Sequence, residues 1–401
     1  MGIRDVMLGR PSPRGFARRV AAAIKRSGVA EEIQFDDRTF ELIVMATPQR
    51  SVFLNNIYEE YCRAPRLARQ QLLERFARGI GVVSEMPADF EQARPHLLPR
   101  VRERFYHDLI RIQMELRSQT ALRVPTQPLA GYYAVELAYD LPDSIMTVSA
   151  EHLERWGVTF EQALSAARDN LWKISNEDFL KLDEGAFVSS WRDNHDASRL
   201  VLHDLIWQLE VKGDHVAMAP HRDVLLVTGA DDEKGLLSMA EAAEKVAGDP
   251  RAITTVAVRL QGTQWTPFVP EGDSAAHRKL RDLRTRAIAR EYEEQKNLLQ
   301  AQLHSRGEDI FVASVMLMED RRTGRLETVA AWGQGVDTLL PRVDRIGFIM
   351  PAAKDSLHLV DWDVAWKTVG ALMKAVGHAP ERFRVQEFPN AEQLAAMRSR
   401  E

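Results

Sequence analysis

The stretch from residue 193 to residue 223 is the part of the sequence richest in side chains that bind metals. It holds four of the eleven histidines, and aspartates lie between them. Imidazole and carboxylate groups are the usual ligands of zinc and iron, so the stretch predicts a metal-dependent hydrolase or another enzyme. The candidate catalytic residues are His195, His221 and Asp223, and the candidate metal ligands are His195, Asp196 and His221.

The spacing of these residues favours a simpler alternative. Successive histidines are eight, twelve and six residues apart, and no His-Glu-x-x-His pair is present. Ligand types without ligand spacing are weak evidence for a metal site. The alternative is that residues 193–196 form a solvated turn and that His203 lies on a helix face, which leaves no metal and no cofactor.

Two further motifs are incomplete. The tripeptide at 221–223, His-Arg-Asp, resembles the start of a kinase catalytic loop, but Thr228 stands where that loop needs asparagine. A G-x-G pattern follows Trp332, but Thr338 occupies the position of the third glycine of a dinucleotide site. The sequence contains no P-loop and no Gly-x-Ser-x-Gly elbow. Arg222, at a strand edge, and Trp332, beside two glycines, are therefore candidate contact residues for a partner.

The composition excludes several classes of protein. The chain has 401 residues, of which 45% are hydrophobic and 28% charged, and its net charge is −5. A dedicated nucleic-acid binder usually carries a basic excess, so we expect no nucleic-acid partner. Cys62 is the single cysteine, which excludes an intrachain disulfide and a zinc site built from several cysteines. No apolar run approaches the roughly 20 residues of a membrane span, so we expect a cytoplasmic protein with no membrane partner.

The first 28 residues are strongly basic, with seven arginines and lysines against one aspartate. Such a segment is compatible with a targeting helix or a membrane-surface helix. However, Pro13 stands near its start and Gly28 follows its end, as in a folded helix. We therefore expect the first helix of a domain, with an apolar stripe formed by Phe16, Val20, Ala23 and Ile24.

The order of the predicted elements indicates an α+β fold of several small, mostly antiparallel sheets with packed helices. A strand is expected at 132–139, and a helix with a capping box of Thr159 and Gln162 at its start is expected at 160–173. Further helices are expected at 101–117 and 363–376. The predicted domains are an N-terminal helix–hairpin–helical domain (1–122), a central α/β domain (129–270), a long connecting helix (274–304) and a C-terminal α+β domain (307–401).

The long helix expected at 274–304 is heavily charged. Its basic residues between 278 and 290 could contact RNA phosphates, but acidic residues follow at once, and a solvated helix with internal ion pairs explains the pattern simply. Its leucines mark a narrow apolar seam, which is typical of helices that pack on another domain or subunit. A homodimer through this helix is one form of that packing. After the helix, residues 310–319 and 325–332 are expected to form a hairpin.

Three segments in the first two thirds of the chain resemble one family. They are the helix and hairpin through Phe35-Asp36-Asp37 and Leu42-Ile43-Val44, the run Leu137–Ser144 with Gly157–Leu164 after it, and Ala219–Leu226. Together they resemble the YtpQ-like family of bacterial proteins, over roughly residues 10–270. The resemblance implies an uncharacterised bacterial α/β protein of the cytoplasm, and it transfers no activity and no functional residues.

Because no catalytic motif is complete, the leading hypothesis is a non-catalytic protein that binds a peptide or protein partner, acting as a scaffold in the bacterial cytoplasm. Strand edges of several small sheets can accept an added strand, and the long charged helix can offer a face to a partner. The alternative is the metal-dependent enzyme at 193–223. Replacement of His195 and His221 by alanine would remove the bound metal if that alternative holds.

Overall fold

The computed structural model describes residues 11–37, 40–45, 50–81, 86–141, 144–182, 185–321, 323–350 and 357–398. The fold is α+β, as the sequence predicts, with helices packed on several small sheets. Contacts group the chain into two compact units, whose described residues fall within 1–99, 137–174 and 248–252 for unit 1 and within 100–136, 175–247 and 253–401 for unit 2. The four consecutive domains expected from the sequence are a different division, which stays a prediction.

The helices and strands are numbered in chain order, and 3-10 turns are left without labels. The first group is α1 (Pro13–Arg26), β1 (Ile33–Asp36), β2 (Glu41–Val44), β3 (Arg50–Phe53), α2 (Asn55–Arg63), α3 (Arg69–Gly81), α4 (Phe90–Ala93), β4 (Leu97–Glu103), α5 (Tyr106–Leu116), β5 (Gln127–Leu129), β6 (Tyr133–Leu141), β7 (Ser144–Thr147), α6 (Ala150–Trp156) and α7 (Phe160–Lys173). The second group is β8 (Leu180–Lys181), β9 (Phe187–Val188), α8 (His203–Trp207), β10 (His215–His221), β11 (Val224–Gly229), α9 (Glu233–Val246), β12 (Val258–Gln261), β13 (Gln264–Pro267), α10 (Ala275–Ser305), β14 (Phe311–Val312), β15 (Met316–Glu319), β16 (Leu326–Gly333), β17 (Thr338–Pro341), β18 (Arg345–Ile349), β19 (Leu357–Asp361), α11 (Trp362–Val369), β20 (Lys374–Ala375), β21 (Arg382–Val385) and α12 (Ala391–Arg398).

In unit 1, α1 packs on α3 and on the three-stranded antiparallel sheet β1-β2-β3. The capping box predicted for α7 is confirmed, because Thr159 and Gln162 exchange two hydrogen bonds between side chain and backbone, of 2.8 and 3.2 Å. The apolar stripe predicted for α1 is also confirmed, since its four residues Phe16, Val20, Ala23 and Ile24 are buried.

The centre of unit 2 is a six-stranded sheet in the order β13-β12-β10-β11-β9-β8, with α9 packed on it. Strands β10 and β11 pair antiparallel, with His215 opposite Gly229. Their register shifts between Met218 and His221, so this end of the hairpin is irregular. The irregular end positions the 221–223 turn.

The long helix α10 has 31 residues and packs on α9, on α5 and on strands of the C-terminal part. The predicted apolar seam is a packed face. Leu280 and Leu283 join a core with α9, and Leu299 and Leu303 pack with Ile112 of α5. The seam is therefore covered by the chain itself.

The C-terminal part of unit 2 contains two four-stranded sheets, in the orders β15-β16-β18-β19 and β14-β17-β21-β20. The predicted hairpin is confirmed in its main part, since β15 and β16 pair antiparallel with Met316 opposite Val329. Residues 311–312 instead form β14, which pairs parallel with β17. A single core cluster joins side chains of these two sheets with those of α11 and α12.

Two predicted helices are shorter than expected. The helix expected at 101–117 begins only at Tyr106, because residues 97–103 form β4, whose Arg-Val-Arg-Glu ending alternates as a strand does. The helix expected at 363–376 ends at Val369, where Gly370 begins a 3-10 turn.

Arg382 joins α10 to the C-terminal strands, and it is fully buried. Its Nε donates a hydrogen bond to Gln295 Oε1 at 2.6 Å, and its Nη2 donates to the Tyr292 carbonyl at 3.0 Å. Its Nη1 donates to the carbonyls of Ala313 and Leu339 at 2.9 and 3.1 Å. All four acceptors are neutral, and burial lowers the pKa of Arg382 to about 10. The guanidinium therefore stays charged at neutral pH and joins three segments of the chain: α10, the residues around Ala313 and β17.

We expect Arg382→Met to destabilise the protein by about 3 kcal/mol or more, because it strands buried oxygen acceptors. Urea unfolding followed by circular dichroism measures this loss. The matched control is Arg384→Met on the same strand, where the partner is Asp337 at 2.7 Å and the side chain is more than a third exposed. That ion pair contributes less than about 1 kcal/mol. Equal losses in the two variants would contradict the role given to Arg382.

Candidate functional site

The tripeptide His221-Arg222-Asp223 forms the tight turn between β10 and β11. The Asp223 amide donates a hydrogen bond to His221 Nδ1 at 3.1 Å, which fixes the imidazole on the turn. The Arg222 carbonyl accepts a hydrogen bond from the Ala197 amide at 3.0 Å, and the Arg222 guanidinium donates to the side-chain oxygen of Asn194. The turn is thus attached to the preceding loop at two points.

That loop has an unusual backbone, which its polar residues stabilise. Arg192 and Asn194 are left-handed, with φ of 52° and 72°, a conformation that asparagine tolerates better than most residues. Asp193 Oδ1 accepts a hydrogen bond from the His195 amide at 2.9 Å, as in an Asx turn. The turn expected here is present, but it is solvated only in part, because Asn194 is exposed whereas His195 and Asp196 are buried.

Arg199 is the centre of this arrangement and is fully buried. Its Nη1 and Nη2 donate to the two oxygens of Asp193 at 3.0 and 2.7 Å, and its Nε donates to Ser175 Oγ at 2.9 Å. The guanidinium carbon lies 4.1 Å from the centroid of the Trp191 ring, within the range of a cation–π contact. The fork of Arg199 therefore neutralises Asp193 in the geometry that arginine and carboxylate prefer.

The charges of the loop follow from this pairing. Burial by itself would raise the pKa of Asp193, but the hydrogen bonds and the charge of Arg199 outweigh burial and hold that pKa below its usual value. Burial raises the pKa of Asp196, and the Ser189 hydroxyl and the Arg192 amide offset only part of that rise. Asp193 is therefore ionised at neutral pH, and its charge is balanced by the charge of Arg199.

The metal-dependent alternative gains no support from this geometry. Within the described ranges, no group of three or more His, Cys, Asp or Glu side chains is arranged to hold a metal ion. Two of the candidate residues lie close together, since His221 Nδ1 and Asp223 Oδ2 are 3.7 Å apart on the turn. The third candidate, His195, is buried. The catalytic and ligand roles considered for His195, Asp196, His221 and Asp223 stay predictions.

The two candidate contact residues lie in different surroundings. Arg222 is partly exposed on its turn. Trp332 is 1% exposed and packs against Phe348 and Phe388 in the C-terminal core, with ring centroids 5.3 and 6.4 Å away. Trp332 therefore stabilises that core, and its ring does not lie on a surface that a partner can reach.

Two carboxyl groups that the sequence analysis missed are Glu103 at the end of β4 and Glu291 on α10. Burial raises the pKa of Glu291 to about 8; the charge of Glu103 adds to this rise, and Arg290 opposes it. Burial also raises the pKa of Glu103 to about 7. Glu291 is 3% exposed, and its Oε1 has no hydrogen-bond partner in the described part of the chain. The two residues are distant in sequence, so no spacing argument could have found them.

Strand β15 is an open edge of its sheet. It pairs with β16 on one side, and no other strand of the described chain pairs with it. Met316 is 51% exposed and Leu317 is 39% exposed, although edge strands usually carry charges that discourage pairing. Successive side chains of a strand point to opposite faces, so both faces of this edge present apolar surface.

The end of β15 is acidic. Glu319 is its last residue, and Glu327 lies on the neighbouring strand in the same hairpin. Burial raises the pKa of Glu327; the charges of Asp320, Asp344 and Asp361 add to this rise, and Arg345 opposes it. The open edge therefore combines exposed apolar side chains with the exposed carboxyl group of Glu319 at one end.

Comparisons with known proteins place the chain near one uncharacterised bacterial protein. A UPF0354 protein of Listeria innocua is 33% identical over 103 residues, which are 24% of this chain and 38% of that protein. The match thus spans well under half of the relative's length. No protein-family model matches the chain, and no solved structure matches it at a significant level. Within the described ranges, none of the helices combines the length and apolar composition that a bilayer span requires.

We expect Glu291→Gln to flatten the dependence of stability on pH. The folded-state pKa of Glu291 lies above the unfolded value, so its stabilising contribution is complete below about pH 4.5 and is lost as the pH rises through about 8. The free energy of unfolding of the unmodified chain should therefore fall by about 2 kcal/mol or more from pH 5 to pH 9, and the variant should fall by less, with the remainder coming from Glu103, whose pKa is also raised. Urea unfolding at each pH measures it.

The control for this experiment is Glu293→Gln on the same helix. Glu293 is half-exposed and pairs with Lys296 at 3.0 Å, so its replacement should leave the pH dependence unchanged. A Glu291 variant with the same pH dependence as the unmodified chain would show that the carboxyl group is ionised in the folded protein at neutral pH.

Proposed function

We propose that the chain is a non-catalytic binding protein that takes up an extended peptide segment of a protein partner along β15. The observation that carries the proposal is the open edge at Met316–Glu319 with its exposed Met316 and Leu317. An added strand gains backbone hydrogen bonds from such an edge, and side-chain contacts on the two faces give specificity.

The chemistry of the edge defines the segment that fits it. Apolar side chains must cover Met316 on one face and Leu317 on the other, so the segment carries aliphatic or aromatic residues at neighbouring positions, one for each face. A lysine or arginine beside Glu319 complements the acidic end of the strand. The proposed ligand is therefore a short apolar strand with a basic residue at one end.

The long helix supports this function less well than the edge does. Its apolar seam is packed within unit 2, and several arginines of the 278–290 face donate to other parts of the chain. Arg284 donates to Tyr132 Oη at 2.7 Å, and Arg290 donates to the carbonyls of Ala247 and Ile253 at 2.9 and 3.0 Å. A homodimer through this helix would have to use its charged face, and that dimer stays a prediction, as does RNA binding.

The proposal also includes three statements about the family, the location and the partners of the protein. They are membership of the YtpQ-like family, a place in the cytoplasm and the absence of nucleic-acid and membrane partners. The similarity to one uncharacterised bacterial protein over a quarter of the chain supports the first of them. The single cysteine supports the second, and the net charge of −5 supports the absence of a nucleic-acid partner.

The proposal is tested by selecting ligands from a phage-displayed library of random peptides against the full chain. We expect peptides with apolar residues at neighbouring positions and a basic flank. We also expect Leu317→Lys to weaken their binding, measured by fluorescence anisotropy, about tenfold or more, because one apolar contact is lost and a charge is added.

The matched control is Leu122→Lys, which places the same charge at another exposed leucine of unit 2. Binding of the selected peptides should not change in this control. A library that yields no binders, or equal weakening in both variants, would reject β15 as the binding edge.

A further inference from the structure

A groove in unit 1 is lined by four arginines and by no acidic residue. Arg19 and Arg26 come from α1, Arg66 precedes α3, and Arg69 opens α3. The remaining lining residues are Ala22, Tyr61, Gln70 and Leu73. The groove has a volume of about 630 Å³, within the range of ligand sites in proteins.

The helical pattern explains why two of these arginines share a face. Arg19, Ala22 and Arg26 are spaced three and four residues apart, so they form one stripe of α1 beside the buried stripe that contains Val20 and Ile24. Burial of the apolar stripe against the unit therefore turns the basic stripe toward α3. The rise of the helix separates Arg19 from Arg26 by about 10 Å.

Two of the arginines are held in place by Tyr61, which is buried at the floor of the groove. Arg19 donates to Tyr61 Oη at 2.6 Å, and the Arg69 guanidinium lies 5.0 Å from the centroid of the Tyr61 ring. Arg69 Nε also donates to the Ala64 carbonyl at 3.1 Å. These three contacts are made to neutral groups, and they orient the two guanidinium groups on the groove.

Three of the four arginines in the groove are not neutralised by ion pairs within the described residues, as surface arginines commonly are. Arg14, on the same helix, pairs with Asp37 at 2.8 Å. In contrast, Arg19, Arg26 and Arg66 make no ion pair with any residue that the structure describes. A local excess of positive charge in a chain of net charge −5 costs repulsion between the arginines, and a bound anion would relieve it.

We propose that this groove binds a ligand with two or more linked phosphate groups. The guanidinium group is the side chain best matched to phosphate oxygens, because its planar fork donates two parallel hydrogen bonds. Four guanidinium groups offer more donors than the oxygens of one phosphate can use, whereas a short chain of phosphates can engage all four. This site is independent of the peptide edge and lies in the other unit.

The test uses the full chain and sodium tripolyphosphate in isothermal titration calorimetry at about 0.1 M salt. The double variant Arg26→Glu with Arg66→Glu should lower the affinity at least thirtyfold, since each lost charge-assisted hydrogen bond weakens binding about tenfold. The matched control is Arg18→Glu with Arg78→Glu, which changes the net charge equally at exposed positions of α1 and α3 outside the groove. That control should lose less than threefold.

Two further probes identify the source of the phosphates. They are phosphatidylcholine vesicles containing cardiolipin, whose headgroup carries two linked phosphates, and a single-stranded oligonucleotide. If the chain binds tripolyphosphate and the groove variant does not, the result supports a soluble ligand. If the chain binds vesicles and the groove variant does not, the result supports the same phosphate chemistry on a lipid surface. No binding of tripolyphosphate or of vesicles, equal losses in the groove and control variants, or binding of the oligonucleotide alone would overturn the proposal.

Discussion

The arrangement of unit 2 depends on Arg382, a buried guanidinium whose partners are all neutral oxygen atoms. A buried cation without a carboxylate is stable only if several dipoles point at it from fixed positions. The required positions belong to α10, to the segment around Ala313 and to β17. Ala313 lies three residues before β15, so the guanidinium that contacts α10 also holds the backbone next to the start of the open edge.

Arginine has three different roles in this chain, and burial distinguishes them. Arg382 is satisfied by neutral acceptors, and Arg199 is satisfied by the carboxylate of Asp193 and the ring of Trp191. Both are fully buried, so folding itself requires their partners. The arginines of the groove, such as Arg26 and Arg66, are exposed, so folding does not require partners for them. Stability therefore explains the first two roles and does not explain why exposed arginines converge where no carboxylate is present.

The sequence was sufficient to predict those elements whose structure is determined by a local pattern of residues. The stripe of α1, the capping box at Thr159 and the length of α10 follow from periodicity and capping, and they are confirmed. It also predicted that β15 and β16 pair, but not that β15 would remain an edge, because the position of a strand in its sheet depends on distant segments. Strand β4 was mistaken for helix, since a short alternating run of arginines is compatible with either structure.

The candidate sites show the same limit. The 193–223 stretch was recognised by residue type, but its chemistry is set by Arg199, a residue the sequence analysis did not single out, and the result is an internal ion pair. The Glu103 and Glu291 carboxyl groups, and the meeting of Arg19 with Arg66, depend on contacts between segments that are far apart in sequence. Such contacts leave no local signal.

The most direct test of the account is hydrogen exchange, followed by mass spectrometry, on the full chain with and without a peptide selected for binding. If the peptide adds a strand at the open edge, exchange should slow at the amides of residues 316–319 and stay unchanged in the loop at 191–196. Slower exchange in the 191–223 stretch, with no change at 316–319, would contradict the account and return the function to the histidine-rich site.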